Sequence, residues 1–406
     1  MTHWDPDHYL NSPPFLRMAH SARASRRLYL DIEGIEPRSK NATPNADKAL
    51  IQQTVLAYLT KHRRRAFRCP LAIKVRLETT ERTPAHPHTI IKNLLDLFGK
   101  PGPDLTTRRR ALVYHDDSQI SALTVSCRHG QPIPSIFATV CPLRDLLDPL
   151  AMAWAASVPF DDDSRWDKVH DLELASERLA DIRSDEAFWR AQYGDARYEE
   201  LERFARQRVQ EPFFGRSGLT PTDIAMLFNL HGAGSSFDST RLWEEAYADS
   251  LFRIRLSELP QATGQSDSWK KEIDTKLADF KARCGSLIDP LLVPVALEVV
   301  IRPPPPSRQK NVHDLDNVLR TYLLPRVFEA LKPPSDYAFT IGQLATDMPP
   351  VSTRIGVTRY EAWRLPPASE GSNGFVSLAV VTDMTGLDGA MSAVEDLTDK
   401  WAESLV

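Results

Sequence analysis

The chain has 406 residues, 42% hydrophobic and 26% charged, which is enough apolar material for two or three packed domains and excludes a disordered chain. No run approaches the ~18 apolar residues of a membrane helix, and Met1 to Pro6 has neither a basic nor an apolar leader segment, so a cytoplasmic protein without membrane contact is predicted. The net charge of −4 argues against a generic nucleic-acid binder, and the four cysteines lack metal-type spacing and are expected to be reduced and mainly buried.

In chain order, Arg27 to Glu33 alternates like a strand. Ala46 to Phe67 has helical spacing, with Leu50, Val55, Leu56 and Leu59 on its apolar side. Leu71 to Leu77 is a strand, Thr89 to Phe98 a short helix, and Ala111 to Cys127 extended around His115-Asp116-Asp117-Ser118. The segment 131–249 reads as a mainly helical insert, with one helix opened by Thr220 as cap and Pro221 at its first position. Beyond it the order returns: a strand at Leu251 to Leu256, a helix at Ser268 to Cys284, a strand at Val293 to Ile301, a helix at Asn317 to Leu331, then strands at Gly356 to Trp363 and Phe375 to Val381. This matching predicts an internal duplication. The expected parts are an N-terminal extension (1–25), a first repeat (26–130), the insert (131–249), a second repeat (250–382) and a C-terminal tail helix (383–406).

Charge is unevenly spread. From Lys61 to Gly130 there are 14 Lys/Arg against 6 Asp/Glu, including Arg63, Arg64, Arg65, Arg68, Arg108, Arg109 and Arg110. From Asp161 to Arg203 there are 7 against 14, read as a solvated helical face. The basic stretch, with Lys92, Arg302, Arg308 and Lys310, suits a phosphate backbone with little base readout.

The segment richest in chemistry is His313-Asp314-Leu315-Asp316-Asn317-Val318-Leu319-Arg320. Extended backbone would turn the carboxylates of Asp314 and Asp316 to one spot, where like charges call for a divalent cation; the alternative is a helix N-cap.

Asp314-x-Asp316-Asn317-x-x-Arg320, followed by Phe328-Glu329-Ala330-Leu331, resembles the D-x-D-N-x-x-K...D-A-L block of RusA-like Holliday-junction resolvases. Ile90 to Phe98 followed by Val113 to Ile120 resembles the other half of that pattern, the K-x-x-x-D-x-L helix and the D-D-x-Q-I turn. The resemblance covers about half the chain and excludes the insert and the extreme termini. It implies an α+β fold in which two such strand-helix-strand-helix-strand repeats form a pseudo-dimer within one chain. It also implies a magnesium-dependent endodeoxyribonuclease acting on branched DNA. Carried over, Asp314 and Asp316 would be magnesium ligands and catalytic groups, Arg320 would take the place of the family lysine, and Asp336 would be the third acid, with Asp347 as the fallback.

The departures are as informative. In the first copy the D-x-D positions fall on His86 and His88, poor magnesium ligands, so that copy is expected to be inactive; His86, His88 and Asp117 could instead hold a transition metal. In the second copy, Tyr322 to Val327 includes an insertion and puts Pro325 inside the helix, where it should kink it. With one intact acid pair the protein would nick. The alternative is a non-catalytic nucleic-acid-binding or assembly subunit on a decayed scaffold. A protein partner or a second copy would dock through the insert.

Overall fold

The structure, a computed structural model, describes residues 18, 22–23, 25–81, 86–155, 164–215, 218–228, 253–261, 265–310, 313–332, 356–382, 386–387 and 389–395. Among the described residues, ten α-helices accompany one open, mixed sheet of eight strands, an α+β fold. No helix among them is long and apolar enough to cross a membrane. All four cysteines are free, and Cys127, Cys141 and Cys284 are buried.

The first set of strands is β1 (Leu28–Glu33), β2 (Leu71–Glu78), β3 (Ile120–Arg128) and β4 (Ser135–Pro142), with α1 (Asn45–Lys61) and α2 (Pro87–Gly99) between them. Helices α3 (Leu143–Ala155), α4 (Ser164–Ser184), α5 (Glu186–Tyr193), α6 (Asp195–Gly215) and α7 (Pro221–Leu227) follow. The second set is β5 (Arg253–Leu256), α8 (Ser266–Cys284), β6 (Pro294–Arg302), α9 (Leu315–Val318), α10 (Leu324–Ala330), β7 (Gly356–Arg364) and β8 (Phe375–Val381).

Across the sheet the order is β1-β4-β2-β3-β7-β6-β8-β5, which is unchanged when the two sets are exchanged and the sheet is read from its other edge. Register carries the same symmetry. Strands β2 and β3 are parallel with a slip between Leu71 and Ala72; β6 and β7 are parallel with a slip between Val295 and Ala296. The two sets join where β3 runs antiparallel to β7, with Thr124 opposite Glu361 and, on either side, Ala122 opposite Trp363 and Ser126 opposite Arg359. A pseudo-two-fold axis therefore passes through the Thr124–Glu361 pair.

One face of the sheet, carrying Val75, Val125, Leu297 and Tyr360, packs in a continuous core with α1, α2, α8, α9 and α10. The other packs Ala72, Ala122, Val300 and Trp363 under α3, α7 and the helical residues Leu387, Ala390, Met391 and Val394. Alternation along each strand produces the two layers. At Thr220 both reciprocal cap bonds with Asp223 form, and Pro221 holds the first position of α7, as expected.

Three expectations change. Strand β4 lies beyond Gly130, within the segment assigned to the insert, and pairs between β1 and β2, so the first set of strands runs to Pro142. Helix α1 buries Ile51, Val55 and Leu59 and leaves Leu50 about half exposed, because the apolar stripe is rotated by one residue from the predicted one. The kink expected at Pro325 takes a more specific form: Leu319–Leu323 is a π turn, and Pro325 sits in the first turn of α10 directly after it, where its missing N–H costs little. The tail helix is described only as far as residue 395.

Candidate metal centre

Asp314 occupies the cap position ahead of α9, but its side chain makes no cap hydrogen bond. The cap reading of the D-x-D-N string therefore fails for the carboxylate, which accepts instead from Asn317 Nδ2 at 3.1 Å. Asp316 follows in the first turn, where the aligned peptide dipoles favour a negative charge. Leu315, Val318 and Leu319 are fully buried and fix this turn against the sheet.

The third acid comes from the other half of the chain. In the turn before β3, Asp116 Oδ1 accepts from Ser118 N at 2.9 Å, and these Ser118 hydrogen bonds hold the Asp116 carboxyl below its usual range. Gln119 Oε1 accepts from the backbone of His115 and Asp116, while its amide donates to the carbonyls of Phe67 and Cys69, each at 3.1 Å. With Asp116 and Gln119 spent on the turn, Asp117 is presented to the site. Asp117, Asp314 and Asp316 each place a carboxylate oxygen within 4.8 Å of the others.

Lys92 of α2 enters the same cluster. Its Nζ lies 3.0 Å from Asp117 Oδ2, 2.9 Å from Asp316 Oδ2 and 3.3 Å from Asp96 Oδ1. Burial works against the Lys92 charge, but Asp316 and Asp117 overcome it, so its pKa rises. Asp314 is raised by burial first and then by the charges of Asp316, Asp117 and Asp116. Asp316 is 3% exposed, and despite the short ion-pair distance neither of its oxygens has a hydrogen-bond partner at acceptable geometry. Beside it the buried Tyr360 hydroxyl is also unpartnered, and its pKa is driven up by burial and by Asp316.

Arg364, at the end of β7, ties the halves of the site together. It donates to Ser118 O at 2.7 Å and to His313 O at 2.5 Å, gripping the turn that carries Asp117 and the residue before Asp314. Burial lowers the pKa of its guanidinium, against the pull of Asp314 and Asp316.

The donor set fits a hard divalent cation. Three carboxylates converge around one ammonium, and buried Asp316 lacks a well-formed hydrogen bond at either oxygen despite its ion pair with Lys92, an excess of negative charge that a further cation relieves.

The symmetry-related position holds no such cluster among the described residues. Its D-x-D equivalents, His86 and His88, stack on each other at 5.5 Å and against Phe328 at 4.5 and 5.3 Å. His88 is pushed down to about 4 by burial, then by His86 and Arg320. No metal-type cluster of His86, His88 and Asp117 forms among the described residues. Arg320 is exposed, acts on His88 and forms no ion pair among the described residues, so Lys92, not Arg320, is the cation at the acids. Asp336 and Asp347 lie outside the described residues.

Of the predicted backbone contacts, Arg65, Arg109 and Arg110 line a groove of about 630 Å³ with Arg68 and His115, two residues from Asp117. Arg63 and Arg108 are exposed close by in sequence, while the carbonyl of Arg64 accepts from Arg109. Arg302 donates to the carbonyls of Pro366 and Leu227, Arg308 to Ser372 and Asn373, and Lys310 N to Gln261; these three hold loops and do not line the groove. No protein-family model and no curated protein matches this chain. Two members of the site escaped sequence reasoning: Arg364, an ordinary strand residue with no motif, and the pairing of Asp117 with the opposite D-x-D string.

Proposed function

We propose that this chain is a magnesium-dependent endodeoxyribonuclease acting on branched or structured DNA, built as a fused pseudo-dimer of two RusA-like copies that retains one acid site. The observation that carries the reading is the gathering of Asp117, Asp314 and the buried Asp316, three carboxylates with a single close ammonium, that of Lys92, 2.9 Å from Asp316. The palindromic strand order supports the pseudo-dimer, and the arginine groove beside His115 supports a phosphate-bearing substrate. Free cysteines fit a cytoplasmic setting. Leu174, Phe188 and Tyr193 are exposed on the insert, where a partner or second copy would dock.

Asp117, Asp314 and Asp316 would hold the magnesium ion, which when bound polarises a phosphodiester and lowers the pKa of an attacking water. Lys92 is placed to offset negative charge developing on the phosphate, and Arg364 keeps the two acid-bearing loops in register. The groove arginines hold the backbone beside the acids.

Purified protein incubated with four-way junctions and magnesium should nick one strand at a time, and Asp316→Asn should abolish the product. Product formation unaltered by Asp316→Asn would sink the reading. A second reading, a binding or assembly subunit without catalysis, draws on Lys92, whose ammonium pairs with both Asp117 and Asp316. On that reading the wild type binds junctions, cleaves none and is indifferent to chelation.

A further inference from the structure

The two halves of the chain treat one equivalent loop in opposite ways. Residues 62–70 join α1 to β2 and residues 285–293 join α8 to β6, with nine residues in each loop. Matching register slips at the starts of β2 and β6 align them, so Arg65 corresponds to Asp289, Ala66 to Pro290 and Arg68 to Leu292. In the first half this loop is open. Arg65, Ala66 and Arg68 line the groove of about 630 Å³ together with Arg109, Arg110 and His115. No acidic side chain lines it, and none of its four arginines makes an ion pair among the described residues. Arg65, Arg68 and Arg110 are exposed, while Arg109 Nη1 donates to Arg64 O at 2.8 Å and ties the two arginine-bearing loops together.

In the second half the loop is covered by α6. The Gln210 amide donates to Leu287 O at 2.7 Å and to Pro290 O at 2.9 Å, and its oxygen accepts from Leu292 N at 2.8 Å. Gln207 Nε2 donates to Leu292 O at 3.0 Å, and Arg206 to Asp289 O at 3.2 Å. Leu291 and Leu292 are buried, and the Asp289 carboxylate, at the position of Arg65, meets Lys281 at 3.5 Å. Charge follows the same division. Residues 62–70 hold four arginines and 285–293 no cation; in the segments that lead to β3 and β7, residues 100–116 hold Lys100 and Arg108 to Arg110 against two aspartates, and 333–355 hold Arg354 alone against two. Helix α6 belongs to the part of the chain outside the duplicated units.

A two-fold dimer offers the same groove twice and can grip two arms of a branched duplex alike. Here the insert has taken the second position, and the open groove adjoins the acids: His115 is two residues from Asp117, at most ~7.6 Å along the backbone. Cations without counter-charge draw in a polyanion. Apart from the His115 imidazole the lining gives bases no ring to stack on, which favours a duplex held by its backbone over a single strand. We propose that this chain grips a single duplex arm through the arginine groove, and that its substrate class is a duplex with one splayed or flapped end, to which the further arms of a four-way junction add nothing. The choice of DNA rests on the nuclease reading; the one-sidedness does not.

Binding of a labelled splayed duplex, a four-way junction with arms of the same length and oligo-dT, with EDTA present and across a salt series, tests the proposal. Engaging two arms at once raises affinity by about 10²–10⁴-fold, so the splayed duplex and the four-way junction should instead bind within about ten-fold of each other. Oligo-dT should bind at least about ten-fold more weakly than either. Arg65→Gln/Arg68→Gln, both exposed and therefore compatible with folding, should weaken the two branched ligands by about ten-fold near 0.1 M salt and flatten the slope of log K against log salt by about 0.9 for each phosphate that is no longer neutralised. Arg110→Gln should flatten both slopes in the same sense. A four-way junction bound about a hundred-fold tighter than the splayed duplex would overturn the proposal. So would unchanged affinities and slopes in both variants, or oligo-dT bound as tightly as the splayed duplex. Cleavage by the wild type, read separately in magnesium, decides the nuclease reading: no cleavage, with variant-sensitive binding that ignores the extra arms, removes that reading alone, and cleavage with a strong binding preference for the four-way junction removes this one alone.

Discussion

The enclosed carboxylate of Asp316 has its counter-charge in Lys92, 2.9 Å away. Replacing Lys92 by Met would leave a buried charge beside two others, a change that typically costs about 3–5 kcal/mol. The metal-free Lys92→Met protein should unfold at lower urea than wild type and gain more from added magnesium; equal magnesium gains in the two proteins would count against a cation site. Arg364 makes a different demand, since its fork reaches two carbonyls on two loops. A lysine offers a single point donor, so Arg364→Lys should reduce cleavage by roughly 10–100-fold, the usual cost of losing a group that orients metal ligands. Junction binding should stay near wild type, and titration of rate against magnesium would show the defect as weaker metal dependence.

The turn before β3 shows how much chemistry a short element can order. Gln119 joins four backbone groups, those of His115, Asp116, Phe67 and Cys69. Gln119→Leu should therefore lower stability by about 2 kcal/mol and cleavage with it, read from urea midpoints and initial rates. The D-D-x-Q string was legible in the sequence because its bonds are local. So were most strands and helices, whose periods are local too. What local pattern could not supply was pairing. Ser135 to Pro142 sets apolar residues at adjacent positions and reads without a clear period, and only its insertion between β1 and β2 makes it part of the first unit. Asp336, the third acid expected downstream of Asp316, lies outside the described residues. Antiparallel contact of β3 with β7 brings Asp117 across from the other half, a long-range event that no spacing along the chain encodes.

Over the whole molecule, two buried groups set opposing pH responses. His88, lowered from 6.5 to about 4, is neutral when folded; the unfolded chain binds more protons between those values, so this contribution is complete above about 6.5 and is lost as pH falls toward 4. Glu361 behaves oppositely. Burial first, then Glu298, raises it from 4.5 to about 7, against hydrogen bonds from Leu387 N, Trp363 and Thr124. The folded state then holds the extra proton, and stability falls as pH rises from about 4.5 to 7. Each swing is on the order of 1–3 kcal/mol. In wild type the two oppose each other between about pH 4.5 and 6.5. Glu361→Gln should remove one and leave stability rising with pH across that window, measured by urea unfolding; a curve that still falls there would contradict the assignment.

The β3–β7 seam has a consequence for dosage. An acid site shared by two separate subunits comes apart when the protein is scarce, and its specific activity falls with concentration. Here both contributors belong to one polypeptide, so dilution leaves the three acids together. Cutting the chain within residues 229–252 would make the acid site depend on reassembly of two fragments. Each fragment alone would expose the bare backbone of β3 or β7, an invitation to mispair.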